Sequence, residues 1–256
     1  MVSPTVLSIY AGGGGLDLGL RLAMPDARTV GYVEREAAAC EILATNIEAG
    51  RLDDAPIWTD AATFDCAPWR GKVDWVVGGP PCQPFSNAGL HLGADDSRNQ
   101  WPTALGMVAG VQPGGCFFEN VAAADSLWYI YEEVIPGLQS LGYKVACGIF
   151  TAAEIGAPHV RDRIFIFATY TDRSRIQRPL TGVDTGEIGQ GWPRGEENLL
   201  AIANAPFQPG DSWPQPLLRR VDDGMADWVD RIHILGNGVV PQQAALAFRT
   251  LVAELI

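Results

Sequence analysis

Short apolar runs alternate with longer stretches of helical spacing along most of the chain. Apolar runs bounded by turn residues predict buried strands, whereas apolar residues three and four positions apart predict helices. The predicted strands are Val6–Tyr10, Thr29–Val33, Pro56–Thr59, Val73–Val77, Gly115–Phe118, Lys144–Phe150 and Arg163–Thr169. The predicted helices are Leu16–Ala23, Ala37–Glu48, Thr103–Val111, Trp128–Leu141 and one beginning at Gln242. This alternation favours an open α/β sheet, in which ligands bind at the carboxyl ends of the strands.

The regular pattern fades between about Tyr170 and Trp228, where glycine, proline and tryptophan recur every few residues. Roughly 60 residues without secondary structure are unusual inside a compact domain, so this stretch is interpreted as an irregular insert or small lobe. The pattern returns from Val229 onward, with a turn at Gly236-Asn237-Gly238. The predicted division is therefore one α/β domain from residues 1–169 and 229–256, interrupted by an insert at 170–228.

Chain length and net charge bear on the size of the core and on nucleic-acid binding. The chain has 256 residues, enough for one large core, and its formal net charge is −12. That charge is unfavourable for a nucleic-acid-binding protein, although local basic patches matter more than the sum. The arginines do cluster, at Arg161 and Arg163, at Arg173, Arg175 and Arg178, and at Arg219 and Arg220.

Cysteine spacing and apolar runs exclude several other classes. The five cysteines are scattered without a CxxC pair, which argues against a disulfide framework and a zinc site, and the three histidines are too dispersed for a metal set. No apolar run approaches the roughly 20 residues that span a bilayer. The first residues lack the layout of a secretory signal, so we expect an intracellular, cytoplasmic protein with no membrane partner.

A glycine-rich turn at residues 11–15 joins the first predicted strand to a helix, as in folds that bring backbone close to a nucleotide-like ligand. The turn lacks the Lys-Ser/Thr of a P-loop and the third glycine of GxGxxG, so phosphate binding is poorly supported. Glu34 ends the next strand, where a carboxylate can accept from ribose hydroxyls. Asp60 follows the third strand, where it can accept from an adenine amino group. S-adenosylmethionine fits this description; the alternative is a turn that only permits tight packing.

A second set of residues combines a thiol, a carboxylate and two guanidinium groups. Cys82 follows a predicted strand on a loop framed by prolines, and taken alone it fits a buried structural cysteine. Glu119 ends the next strand. Arg161 and Arg163 begin another strand and, being two residues apart, share one face of it. A nucleophile, an acid and guanidinium donors at one sheet edge form a candidate catalytic set.

These residues lie in five motifs whose order resembles that of the cytosine-C5 DNA methyltransferases. The resemblance extends from Val6 to about Leu251, apart from the insert. In chain order the motifs are Val6–Leu16 (cofactor motif), Gly79–Ser86 (nucleophile motif), Glu119–Val121 (ENV), Arg161–Arg163 (the RxR half of QxRxR) and Gly236–Pro241 (last motif). Departures from the family pattern occur at Tyr10, Gly13, His159 and Gly238, and they leave open that a group other than methyl is transferred.

The resemblance implies an open, mostly parallel, Rossmann-like sheet that binds S-adenosylmethionine, with a small irregular recognition lobe. The residues that it implies for cofactor binding are Tyr10, Ala11, Gly12, Gly14, Gly15, Leu16, Glu34, Asp60, Pro80, Asn237 and Gly238. It implies catalytic roles for Cys82, Glu119, Arg161 and Arg163.

The implied chemistry begins with attack of the Cys82 thiolate on cytosine C6, which turns C5 into an enamine carbon able to accept a methyl group. Protonated Glu119 donates to N3 and holds the exocyclic amine, and Arg163 or Arg161 binds O2. A base, which the sequence does not identify and which can be a water, then removes the C5 proton, and elimination frees Cys82. Because C6 is inaccessible in a stacked duplex, the cytosine must be flipped out.

The expected substrate is double-stranded DNA. Gln83, Ser86, Asn87 and Arg98 lie on the loop after the nucleophile, and the insert corresponds to the target-recognition region. Its candidates for phosphate or guanine contacts are Arg173, Arg175, Arg178, Arg194, Arg219 and Arg220. Asn120, Pro80 and Pro81 either set the shape of their turns or contact the substrate directly.

Two rival functions remain open. One is methylation of tRNA cytosine on the same fold, although Gln83–Ser86 favours DNA. The other is a non-catalytic protein that binds nucleic acid or regulates, suggested by the acidic charge and short insert. We expect a monomer of bacterial or phage origin with no metal, and a cognate restriction endonuclease as a possible partner.

Overall fold

The computed structural model describes residues 3–81, 99–157, 161–170 and 238–255. The strands in this part of the chain are β1 (Thr5–Ile9), β2 (Arg28–Val33), β3 (Ile57–Trp58), β4 (Trp75–Gly78), β5 (Gly115–Val121), β6 (Tyr143–Thr151) and β7 (Asp162–Tyr170). The α-helices are α1 (Gly15–Ala23), α2 (Ala37–Glu48), α3 (Trp101–Val111), α4 (Ala124–Tyr129), α5 (Ile135–Ser140) and α6 (Pro241–Leu255). A π-helical turn, Ile130–Val134, joins α4 to α5, and short 3-10 turns lie at Ala61–Thr63, Ala67–Trp69 and Ala152–Ile155.

The described strands form one sheet in the order β3-β2-β1-β4-β5-β7-β6. The first five strands of that order are parallel, and β7 runs antiparallel to both β5 and β6. The expected open, mostly parallel sheet is therefore confirmed. Because β7 is reversed, its first residues lie beside the last residues of β5, with Val121 opposite Arg163. The carboxyl edge of the parallel strands thus also holds the start of β7.

Two apolar layers cover the faces of the sheet. On one face, α1 and α6 pack together, and Phe248 of α6 contacts the rings of Phe117 and Phe167. On the other face, α3 and α4 bury Trp101, Val108 and other side chains of a second cluster. The apolar residues of α1 recur at helical intervals, which explains why this segment folds as a helix with one buried side.

The predicted elements match the observed ones with local differences. The bounds of α2 agree with the prediction, whereas β3 is reduced to two residues. The strand predicted to begin at Val73 begins at Trp75, and just before it the Asp74 side chain accepts from the Thr5 N–H at the start of β1 (2.7 Å). The helix predicted from Trp128 starts at Ala124, and a π turn interrupts it.

The C-terminal segment returns to regular structure, as expected, and packs α6 against α1. The predicted insert at 170–228 lies outside the described residues, except for Tyr170, which ends β7. The division into a domain and an insert therefore stays a prediction. Within the described ranges, no helix has the length and apolar character required to cross a membrane.

Candidate active site

The carboxyl end of β5 and the start of β7 bring a carboxylate and a guanidinium group into contact. Arg163 Nε lies 2.7 Å from Glu119 Oε1, and both side chains are nearly buried. The antiparallel register pairs Glu119 with Phe165 and Val121 with Arg163, which places these four side chains on one face of the sheet. An ion pair in this environment is screened little by solvent, so the positive charge of Arg163 acts strongly on the Glu119 carboxyl group.

Burial is the largest influence on Glu119 and raises its pKa to about 7. Arg163 and, to a smaller extent, Arg161 act in the opposite direction, because positive charges stabilise the carboxylate. Both protonation states are consequently populated near neutral pH. A carboxyl group in that condition can donate a proton in one step and accept it in another.

Arg161 lies one residue before β7 and is held by the chain that precedes α6. Its Nη2 donates to the carbonyl oxygen of Gly238 at 2.6 Å. Burial lowers the pKa of the Arg161 guanidinium, and the neighbouring charge of Arg163 lowers it further. Two guanidinium groups therefore face the same small region, a favourable arrangement for binding a carbonyl oxygen that gains negative charge.

The residues before Cys82 pass directly beside Glu119. A Cβ atom added at Gly79 would lie 3.3 Å from Glu119 Oε2, and one added at Gly78 would overlap the backbone oxygen of Ile9. Asn120 Nδ2 donates to the carbonyl oxygen of Pro80 at 3.0 Å. Small residues and this hydrogen bond hold the start of the loop against the end of β5. Asn120 was expected either to shape its turn or to contact the substrate, and this hydrogen bond favours the first role.

The glycine-rich turn lies between the end of β1 and the start of α1. Gly12 and Gly14 have positive φ angles, as does Tyr10 (φ 51°), and such angles favour glycine over residues with a side chain. Gly14 N donates to the carbonyl oxygen of Ala11 at 2.9 Å, which closes the turn. A Cβ added at Gly12 would meet no atom within 4 Å, so this part of the turn faces open space.

The turn also contacts the C-terminal segment. A Cβ added at Gly15 would lie 2.5 Å from the carbonyl oxygen of Val239, so only glycine permits this approach. Gly238 precedes Val239 and accepts from Arg161, so it lies near both the turn and Arg161. Leu16 is 4% exposed and belongs to the core cluster beneath the turn.

Glu34 supports the turn from the end of β2. Its Oε2 accepts from Gly12 N at 2.7 Å, and its Oε1 accepts from Arg35 N at 2.7 Å and Glu36 N at 2.8 Å. Backbone donors thus orient the carboxylate, and Oε2, which accepts only one of these hydrogen bonds, keeps room for a further donor. Asp60 lies two residues after β3, and its Oδ1 accepts from Ala62 N at 2.9 Å, which caps a 3-10 turn.

Two features of this region were missed in the sequence. Asp17 is fully buried behind the turn, where Oδ2 accepts from Ser8 Oγ at 2.7 Å and Oδ1 accepts from Thr29 Oγ1 at 3.1 Å. Burial raises the Asp17 pKa to about 6. Tyr10 Oη lies 3.4 Å from two oxygens of Gln100, which precedes α3. The only signal for the first feature was a charged residue on the apolar face of a helix.

Several predicted site residues lie outside the described residues. They are Cys82, Gln83, Ser86, Asn87, Arg98, Arg173, Arg175, Arg178, Arg194, Arg219, Arg220 and Asn237, together with His159. The structure therefore brings together Glu119, Arg161, Arg163, Pro80 and Gly238, and places the glycine turn and Glu34 on the same edge of the sheet. Among the described residues, no three His, Cys, Asp or Glu side chains gather in a way that would hold a metal ion.

Most of the chain is similar in sequence to known proteins. Residues 5–187 match the family described as C-5 cytosine-specific DNA methylase. The chain is 34% identical over 168 residues to Type II methyltransferase M.AplI of Arthrospira platensis, a match that covers 65% of this chain and 46% of that relative. It is also 34% identical over 166 residues to Type II methyltransferase M.NgoMIV of Neisseria gonorrhoeae, covering 64% and 51%. The chain spans about half the length of these relatives.

Solved structures show the same architecture. A DNA modification methyltransferase encoded within an E. coli prophage aligns with a TM-score of 0.53 and 27% identity, covering 66% of this chain and 47% of the other. A Spodoptera frugiperda DNMT2 variant aligns with a TM-score of 0.55 and 20% identity, covering 71% and 54%, which shows the fold alone.

Proposed function

Because the chain belongs to the C-5 cytosine-specific DNA methylase family, we propose that it transfers a methyl group from S-adenosylmethionine to C5 of cytosine in double-stranded DNA. The observation that carries this proposal is the contact between Glu119 and Arg163, beside the residues that lead to Cys82 in the sequence. A buried acid and a guanidinium donor are the groups that a cytosine ring requires when a nucleophile attacks it.

The residues of the glycine turn fit S-adenosylmethionine. Open space beside Gly12 allows a ligand to approach the backbone, and Glu34 directs an oriented carboxylate toward the same turn. We assign Glu34 to the ribose hydroxyls and Asp60 to the adenine amino group, with Tyr10, Pro80 and the Gly238 segment enclosing the ligand. The bound cofactor supplies the electrophilic methyl group, and side chains of this chain supply the nucleophile, the acid and the groups that bind O2.

Glu119 and the arginines have distinct roles in the proposed reaction. Protonated Glu119 donates to N3 of the cytosine and accepts from its exocyclic amine, which selects cytosine over thymine. Arg163, and Arg161 behind it, bind O2, where negative charge accumulates during attack. Because the pKa of Glu119 is about 7, a large fraction of its side chain is protonated at neutral pH. Without burial, a carboxyl group at that pH would be ionised almost completely.

Cys82 is the proposed nucleophile. Its thiolate attacks C6 of a cytosine flipped out of the duplex, C5 takes the methyl group, a base removes the C5 proton, and elimination restores the thiolate. Pro80 lies two residues earlier and is fixed to Asn120, so the loop starts next to Glu119. Gln83, Ser86, Asn87 and Arg98 are assigned to the DNA, and the arginines of the 170–228 insert to phosphate and base contacts.

A direct test uses purified protein, cofactor labelled on its methyl group, plasmid DNA and bulk tRNA. We expect label in DNA, and in C5 of its cytosines after hydrolysis. Label in tRNA alone would favour the rival RNA function, and label in neither, with DNA binding retained, would favour a non-catalytic role. Because the named relatives are Type II methyltransferases, protection of that DNA from a restriction endonuclease is the expected consequence.

A further inference from the structure

Gln243 is a buried amide in α6 that joins three parts of the fold. Its side chain is 0% exposed. Its Nε2 donates to the carbonyl oxygen of Phe150 at 2.7 Å, near the end of β6, and to that of Arg161 at 2.8 Å, just before β7. Buried N–H groups are costly unless they are hydrogen-bonded, so these two bonds from Nε2 tie α6 specifically to the segment between β6 and β7.

Arg161 is held by this region at both its backbone and its side chain. The carbonyl oxygen accepts from Gln243 and from Ala152 N at 3.3 Å, while the guanidinium group donates to Gly238 O at 2.6 Å. The ladder between β6 and β7 begins only at Asp162. The position of Arg161 therefore depends on contacts with α6 and the residues before it.

The position of Arg161 matters for Glu119. Arg163 follows two residues later on the same side of the chain and contacts the carboxylate directly. The charged groups that act on Glu119 are these two arginines, and both lower its pKa against the effect of burial. A shift of the start of β7 would move both positive charges relative to the carboxyl group.

We propose that Gln243 is a positioning residue of the active site, whose amide fixes the backbone at Arg161 and so holds Arg161 and Arg163 beside Glu119. This inference rests on the proposed function and adds to it a residue of the C-terminal helix that lies beyond the motif at Gly236–Pro241.

The test compares Gln243→Met, which keeps the length of the side chain and removes both donors, with Gln242→Met on the same helix. Gln242 is half-buried and adjacent, so it is a matched control. Methyl transfer to DNA is measured as kcat and KM across pH, alongside thermal unfolding. We expect Gln243→Met to lower kcat about tenfold or more, because small misplacement of reacting groups is costly. The basic limb of its pH profile should move to higher pH. The control should stay within about twofold of the wild type.

A third variant, Gln243→Glu, provides a conservative rescue. Ionised glutamate places negative oxygens against two carbonyl oxygens, whereas protonated glutamate regains one donor. Its activity relative to Gln243→Met should therefore rise as the pH falls. An unchanged kcat and pH profile in Gln243→Met would overturn the proposal. So would a loss of activity that only parallels a loss of folded protein while the pH profile stays fixed.

A readout without turnover separates this inference from the proposed function. The carboxyl of Glu119 is titrated by NMR in protein labelled with 13C at the glutamate side-chain carboxyl, and Glu119→Gln identifies its signal. The pKa should be higher in Gln243→Met than in the wild type, because the arginines have moved away. A wild type that transfers no methyl group contradicts the proposed function, while an unaltered Glu119 titration contradicts the role of Gln243.

Discussion

Arg163 lies 2.7 Å from Glu119 although the two residues belong to strands that run in opposite directions. The reversal of β7 produces this contact, because it brings the start of one strand to the end of another. The buried carboxyl group then has a pKa of about 7, set by burial against two positive charges. This balance connects the fold to the proposed chemistry.

Replacement of Glu119 with Gln should abolish most activity. The amide keeps the shape of the side chain but lacks the acid proton, and general acid catalysis contributes about 10²- to 10⁴-fold. We therefore expect kcat to fall by about that factor, measured by methyl transfer to DNA. Glu132→Gln, which changes an exposed side chain of the π turn, is the matched control. Turnover at the wild-type rate in Glu119→Gln would show that Glu119 does not act as a general acid.

Replacement of Arg163 with Met should change the pH dependence as well as the rate. Arg163 lowers the pKa of Glu119, so its removal allows the pKa to rise further. If the protonated acid is the active form, the basic limb of kcat/KM moves to higher pH even as the maximum rate falls. A profile that moves to lower pH would contradict the assignment of these roles.

Replacement of Glu34 with Ala should weaken cofactor binding. The change removes the acceptor for Gly12 N and the proposed acceptor for the ribose hydroxyls. Each hydrogen bond to a charged group is worth about 1.5–3 kcal/mol, so Kd for S-adenosylmethionine should rise at least about tenfold by calorimetry. Glu36→Ala, an exposed neighbour, should bind normally. Equal affinities for all three proteins would show that Glu34 does not contribute to cofactor binding.

Replacement of Asp17 with Asn should alter how stability depends on pH. The folded-state pKa of about 6 lies above the ordinary value of 3.8, so the protonated form stabilises the fold, and that contribution is lost as pH rises from about 4 through 6. The free energy of unfolding of the wild type, relative to Asp17→Asn, should decrease by about 2–3 kcal/mol between pH 4 and 7. Urea denaturation at several pH values measures this difference.

Asp26→Asn is the control for that experiment, because Asp26 is exposed at the surface. Its free energy of unfolding relative to the wild type should stay nearly constant over the same range. A constant difference for Asp17→Asn as well would show that Asp17 has an ordinary pKa in the folded protein.

Local patterns predicted much of the fold because periodicity is a local property. Helix α2 was predicted to the residue, and the strands that lead into Glu34 and Cys82 were found. Strand direction depends on partners distant in sequence, so the reversal of β7 was not predicted. The π turn before Pro136 was also missed. Proline lacks the N–H that a regular helix needs at that point, so Pro136 was a local signal that the helix is irregular there.

The candidate site was predicted from motifs, whereas its supporting contacts were not. Glu119, Arg161 and Arg163 were identified as a chemical set, and the structure shows how the first and third meet. Gln243 reaches a carbonyl 93 residues away in the chain, and no local pattern encodes such a pairing. Buried polar side chains such as Gln243 find their hydrogen-bond partners only in the tertiary structure, so local sequence patterns do not predict these contacts.

If Cys82 forms a bond to cytosine, methylation requires its thiol, and base-resolution mapping of modified cytosines measures that requirement. DNA is mapped from cells that express the wild type, Cys82→Ser or, as a control, Cys66→Ser. We expect 5-methylcytosine at a defined sequence with the wild type and with Cys66→Ser, and none with Cys82→Ser. Methylation that persists in Cys82→Ser at the wild-type level would contradict it.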